Sequence, residues 1–173
     1  MDFFQNTMNW IKGELLEAGL ILTFGIVTVI AGILFFRLGA TPAAKALLWP
    51  LIVTGIIYAA IGSGMLYSNK KRMAEFPEHY KTNRKEFIVS EKKRVEDFQY
   101  GYTVSKVVAT LFFVTTLLLF WFSKNPFWQG IGIGLAYFGL AGLVVDYFSQ
   151  ERANAYYAEI VKAADLKALY IKR

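Results

Sequence analysis

A chain of 173 residues with 55% hydrophobic residues, 17% aromatics and a mean hydropathy of +0.38 is too apolar for an ordinary soluble domain and too short for more than one compact unit. It has no cysteine, which excludes disulfides, thiolate metal sites, iron–sulfur clusters and thiol nucleophiles. A formal charge of +6 would suggest nucleic acid in a soluble protein, but membrane topology explains basic residues first, so nucleic acid is not expected as a partner.

The ionisable residues leave four intervals empty: 18–36, 46–69, 107–123 and 125–145. At about 1.5 Å per residue, each matches the ~30 Å hydrocarbon core that needs about 20 apolar residues. The runs are continuous rather than alternating, which predicts helices and not barrel strands. The expected class is an all-α integral membrane protein: one membrane domain over residues 1–173, a four-transmembrane-helix bundle with helices 2, 3 and 4 extended into the cytoplasm.

Residues 1–14 form an amphipathic segment, with Phe3, Phe4, Met8 and Ile11 at helical spacing among Gln5, Asn6, Asn9 and Lys12. It reads either as a helix lying flat on the inner surface or as an extension of the first span. The opening lacks the positive charge of a secretory signal, which predicts a retained amino terminus. The first span covers 15–37, a tight hairpin follows at Gly39 to Pro42, and the second span covers 46–68.

The segment 69–103 is charged yet periodic. Lys70, Lys71 and Arg72 mark the inner interface, and Phe76-Pro77 predicts that the helix stops there, leaving the sole histidine, His79, in a turn. Asn83 to Glu86 has capping-box spacing. From there Phe87, Ile88, Val95, Phe98 and Tyr102 mark an apolar face among Glu91, Lys92, Lys93, Arg94, Glu96 and Asp97. One helix of about 60 Å is therefore expected from about Asn83 through the third span, 104–123, to Phe122. The fourth span, 126–148, runs on as a helical tail, 149–173, with Tyr156, Tyr157, Ile160, Val161 and Ala164 on its apolar face. A weak similarity at an offset of 81 aligns Tyr67-Ser68-Asn69 with Phe148-Ser149-Gln150, which hints at a duplicated hairpin or at shared juxtamembrane chemistry.

Lysine and arginine number one before the first span, two in the first loop, ten from Lys70 to Lys106, one in the third loop and five after the last span. The positive-inside rule then puts both termini and the central segment in the cytoplasm, with a bacterial inner membrane as the expected location. Trp10, Tyr67, Tyr100, Tyr102, Tyr147 and Phe148 would frame the inner boundary, and Trp49, Trp121 and Trp128 the outer one.

Three sets of residues are candidates for function. Glu14, Glu17, Lys106 and Asp146 cluster at the inner mouth, where Lys106 would pair with Glu17 or Asp146 as an interfacial salt bridge or an ion gate. Lys70, Lys71, Arg72, Arg84, Lys85, Lys92, Lys93 and Arg94 form a basic surface for a protein partner or anionic lipid. Gly25, Gly32, Gly55, Gly62, Gly130 and Gly134 are small enough to bring helices into close contact, within the bundle or in a homo-oligomer.

No catalytic, metal or cofactor residues are predicted. A single histidine supports no metal or haem ligation, and Gly130 to Gly134 lie in an apolar span with no strand before them. Midplane polar groups are limited to Thr23, Thr28, Thr54, Tyr58, Thr110, Thr115, Thr116 and Tyr137. The sequence thus points to a small non-enzymatic membrane protein acting through protein or lipid contacts, of the accessory or immunity type. The alternative is a small oligomeric channel or transporter with a charged cytoplasmic gate.

Overall fold

The computed structural model describes the backbone of residues 3–171 and the side chains of residues 3–164. The helices are α1 (Phe3–Leu38), α2 (Pro42–Ala46), α3 (Leu48–Thr82), α4 (Arg84–Phe122) and α5 (Pro126–Ile171). Among the described residues there is no strand. Four segments are long and apolar enough to cross a membrane: α1, α2 joined with α3, α4, and α5 as far as Ala164. Residues 172 and 173 of the tail, and the first two residues of the amphipathic segment, lie outside the described residues.

Short polar caps set the turns. Thr41 accepts a hydrogen bond from the Ala44 amide at 3.2 Å, with Pro42 at the first helical position where its missing N–H costs nothing. Asn83 accepts from the Glu86 amide at 3.2 Å while its amide nitrogen donates to the Glu86 carboxylate at 2.9 Å. This reciprocal cap starts α4 at the position its spacing predicts. At the third turn, the Asn125 side chain accepts from the Phe127 amide at 2.9 Å.

Such turns lay consecutive rods antiparallel. α1 packs along α3 and α4 along α5, and the two hairpins meet mainly through α5, so α1 and α4 sit diagonally across the bundle.

The bundle has two chemically different halves. Where the four uncharged runs lie side by side, large apolar groups face outward: Leu20, Leu117, Trp121 and Phe122 are 63–84% exposed. Helices there meet through backbone. A Cβ at Gly25 would stand 2.4 Å from the Ala59 nitrogen, and one at Gly55 would stand 2.6 Å from the Gly25 oxygen. Gly62 meets Ala18 and Leu22 in the same way, Gly32 meets Leu48 and Leu51, and Gly130 and Gly134 face Ala46 and Pro50. All six predicted packing glycines therefore lie at helix contacts within one chain.

The charged half holds the main side-chain core. Phe3, Trp10, Ile11, Phe87, Ile88, Val95, Tyr156 and Ile160 are buried together, with Met73, Phe76 and Tyr80 packed against them. This core corrects two expectations. α3 does not stop at Phe76 but continues through Pro77 to Thr82, so His79 lies in its last turn. Proline removes one backbone bond, yet the following turn is held by tertiary packing: Phe76 is edge-on to Phe87 at 5.0 Å, and Tyr80 stacks on Phe4 at 4.8 Å. Trp10 and Tyr102 are buried rather than framing a boundary, whereas Tyr67, Tyr100, Tyr147 and Phe148 remain exposed, as do Trp49, Trp121 and Trp128.

α1 is unbroken from Phe3 to Leu38, so residues 3–14 extend the first apolar run and bury their own face against α4 and α5. The residues aligned at an offset of 81 play different parts. Asn69 is buried and receives Arg72, whereas Gln150 accepts from Lys106 near the surface.

Backbone approach at Gly55 leaves no space for a methyl group, while a Cβ at Gly64 meets nothing within 4 Å. Gly55→Ala should destabilise by about 1–3 kcal/mol through overpacking, and Gly64→Ala should cause no loss. Thermal melting in detergent by circular dichroism checks the contrast.

Candidate functional site: an ionic layer and its groove

Where the apolar half meets the charged half, Glu14 and Glu17 of α1 lie one turn apart and both accept hydrogen bonds from the Arg152 guanidinium of α5. The two carboxylate side chains are only 11% and 12% exposed, and Arg152 34%. Gly13 makes the approach possible, since a Cβ there would meet Arg152 Nη1 at 3.0 Å. Burial lifts the Glu14 carboxyl above its ordinary value, against the opposing pull of Arg152 and Arg94.

One layer further into the charged half, Glu91 of α4 is 3% exposed. Arg94 binds it through Nε at 2.8 Å and Nη2 at 2.6 Å. The Tyr156 hydroxyl stands 2.9 Å from Glu91 Oε2 and 3.0 Å from Thr7 Oγ1. A hydroxyl has one proton, and the carboxylate is the stronger acceptor, so Tyr156 donates to Glu91. Burial and the neighbouring carboxylate raise the Tyr156 pKa, which keeps the phenol neutral and donating.

The Arg94 guanidinium lies 4.6 Å from the centre of the Trp10 ring, which also stacks on Tyr156 at 4.9 Å and Phe98 at 6.2 Å. Burial alone would lower the Arg94 pKa, but the bonded Glu91 carboxylate more than offsets this and holds it above the ordinary value. The stack joins α1, α4 and α5 with a cation–π contact of about 2 kcal/mol when desolvated.

These positions revise the sequence-based sites. Glu14 and Glu17 do converge, but on Arg152 and not on Lys106. Lys106 donates to Gln150 Oε1 at 3.1 Å. The reason is topological: Lys106 is on α4, diagonal to α1, whereas Arg152 is on α5 beside it. Asp146 lies near Ser105 and in the field of Lys106, without an ion pair to it among the described residues.

Of the predicted basic surface, Lys70, Lys71, Arg84, Lys85 and Lys93 are exposed, and Lys92 holds Glu96 at 3.7 Å with its side chain 45% exposed. Arg72 and Arg94 turn inward instead. Arg72 is partly buried and donates to Asn69 Oδ1 at 3.0 Å. Arg94 is part of the core stack and is no surface cation.

Sequence reasoning missed Glu91, Arg152 and Thr7. The signal for Glu91 was present: it falls on the same helical stripe as Ile88, Val95, Phe98 and Tyr102. A carboxylate in an apolar stripe requires a buried partner.

Two grooves open beside this layer. One, of about 900 Å³, lies between α3 and α4, and runs from Ala60, Ile61 and Gly64 to Arg72, Lys93 and Arg94. The other, of about 600 Å³, lies between α1 and α5, lined by Leu20, Phe24, Leu140 and Val144, with Glu17 and Arg152 at one end. Among the described residues, no three His, Asp or Glu side chains gather as a metal site. Comparison with known proteins gives no match to any protein family, curated protein or solved structure.

Removing one partner from such a pair strands a buried charge, at about 3–5 kcal/mol when burial is complete. Arg152 is one-third exposed, so Arg152→Gln should destabilise by about 2–3 kcal/mol at neutral pH. A carboxyl raised by folding stabilises fully below its ordinary value, 4.5 for Glu14, and loses that contribution as pH rises through its folded value. The deficit of Arg152→Gln should therefore shrink as pH falls toward 4.5, and adding Glu14→Gln and Glu17→Gln should remove most of it at neutral pH. Denaturation midpoints across pH measure both effects.

Proposed function

We propose that the chain is an integral protein of a bacterial inner membrane, crossing it four times with both termini and the α3–α4 turn in the cytoplasm. It acts there through contacts with lipid or a protein partner, as an accessory or immunity-type protein does, and not by catalysis. The observation that carries this reading is the contrast between the halves. The apolar half exposes large hydrophobic groups on every helix, far beyond the few hundred Å² of apolar patch typical of soluble monomers. The charged half buries or half-buries its aromatic groups, Tyr100 apart, and presents lysine outside.

Burying exposed apolar area is favourable by about 25 cal/mol per Å², so surfaces such as Leu117, Trp121 and Phe122 favour hydrocarbon. Ten basic residues between Lys70 and Lys106 orient the charged half inward under the positive-inside rule. Extending α3, α4 and α5 beyond the bilayer then gives a rigid cytoplasmic platform, with Lys70, Lys71, Arg84, Lys85, Lys92 and Lys93 directed at partner or lipid surface.

The alternative is an oligomeric channel or transporter, favoured by the carboxylates Glu17 and Asp146 at the end of the apolar half. Against a path through one copy stand Phe24, Tyr58, Tyr137 and Phe138, whose rings touch at 5.0–5.4 Å across the interior. Ion flux in liposomes altered by Asp146→Asn would favour this alternative.

The natural lack of cysteine makes labelling direct. In intact cells, Lys124→Cys should react with an impermeant maleimide and Lys92→Cys only after the membrane is opened. Labelling of Lys92→Cys from outside would overturn the topology. Replacing Lys70, Lys71, Lys92 and Lys93 by Gln should weaken binding to anionic liposomes or to a co-purified partner with insertion unchanged; undiminished binding would remove the surface role.

A further inference from the structure

We propose that the groove between α3 and α4 holds one anionic glycerophospholipid, its phosphate at Arg72 and Lys93 and its upper acyl chain along Ile61 and Gly64. The inference rests on the membrane assignment above and names a site that assignment does not require.

The groove changes chemistry along the helix axis. Its α3 wall runs from Ile61 and Gly64 in the apolar half to Arg72 in the charged half, about 16 Å at the helical rise. A phosphodiester with its glycerol and the first part of an acyl chain has that length and that polarity order. The apolar end is also continuous with outward surface, since Ile61 is 44% exposed. A chain leaving the groove would enter lipid without crossing a polar barrier.

Of the charged side chains that line the groove, Arg72, Lys93 and Arg94 face the carboxylates Glu14 and Asp97, a surplus of one positive charge that matches a monoanion. Arg94 is bonded to Glu91 and Glu14 shares Arg152 with Glu17, whereas Arg72 is hydrogen-bonded only to a neutral amide in the described network. Burial and the Arg94 charge depress the Arg72 pKa against the opposing pull of Glu91 and Glu14, so a further anion beside it would favour its charged form.

Space at the apolar end depends on Gly64, where a Cβ meets nothing within 4 Å. A leucine there fills the groove without touching the helix contacts, and Gly19, equally open, provides a control on α1.

Native mass spectrometry of the full chain in detergent, with phosphatidylglycerol or phosphatidylcholine added, tests the assignment. Wild-type protein should retain one phosphatidylglycerol in preference to phosphatidylcholine. Arg72→Gln should weaken retention about tenfold, the value of one charge-assisted hydrogen bond. Gly64→Leu should abolish it, Asp97→Asn should strengthen it, and Gly19→Leu should leave it unchanged. Equal retention of both lipids, or full retention in both Gly64→Leu and Arg72→Gln, overturns the site. Competition by glycerol phosphate at the same concentration as the lipid overturns the lipid as occupant. Membrane fractionation separates the two levels: wild-type protein in the membrane fraction without a lipid preference sinks the groove alone, and soluble protein sinks both.

Discussion

Three carboxylates, Glu14, Glu17 and Glu91, lie largely buried in the bundle where water solvates them poorly, and the neutralisation of the first two fixes how the two hairpins meet. An isolated buried carboxylate costs several kcal/mol, so each demands a cation at a defined place. Arg152 answers from α5 for the first two, and Arg94 answers from within α4 for the third. Because Glu14 and Glu17 are on α1 and Arg152 on α5, their bonds set the axial register of one hairpin against the other. Sliding α5 by one turn would move Arg152 about 5.4 Å and leave both carboxylates alone. Tyr156, four residues on, would lose its contact with Thr7 of α1 in the same movement.

Other contacts between the hairpins contribute unequally to that register. In the apolar half the hairpins touch through scattered hydroxyls, Thr28 with Tyr137 at 3.0 Å and Tyr58 to the Phe138 carbonyl at 2.7 Å. Under the proposed membrane placement, hydrogen bonds between helices contribute about 0.6 kcal/mol on average, too little to fix a register by themselves. Close backbone packing joins α1 to α3 at Gly25 and Gly55, and joins the hairpins to each other at Gly130 and Gly134, against Ala46 and Pro50. Register between hairpins is therefore held at both ends, by these two glycines in the apolar half and by ion pairs and aromatic stacking in the charged half.

The gross fold was legible because its signals are long. Uncharged runs, basic clusters and the Asn83 cap each depend on local sequence, and helix length follows directly. The errors arose where tertiary contacts override local rules. Pro77 breaks the helical pattern in isolation, but Phe76 and Tyr80 on either side of it are packed against Phe87, and the helix persists. Lys106 matched Glu17 in depth, but depth does not specify which helices are neighbours. Arg94 sat beside Lys92 and Lys93 in a basic run, and only the turn of about 100° per residue separates the inward side chain from its outward neighbours. Glu91 was the decisive clue, since its place on the apolar stripe required Arg94 to turn in.

The same diagonal arrangement explains why a groove lies between α3 and α4. These helices are joined by a single non-helical residue, Asn83, and are pinned together at that end by Phe76 on Phe87. Each then commits its main face elsewhere, α3 to α1 and α4 to α5. Away from the pin the two helices share few contacts, and the groove lies between them. Glycine at position 64 leaves that space unfilled, while Arg72 and Lys93 line its polar end. The gap is thus a consequence of pairing helices into two tight hairpins, and its polarity follows from where the uncharged runs end.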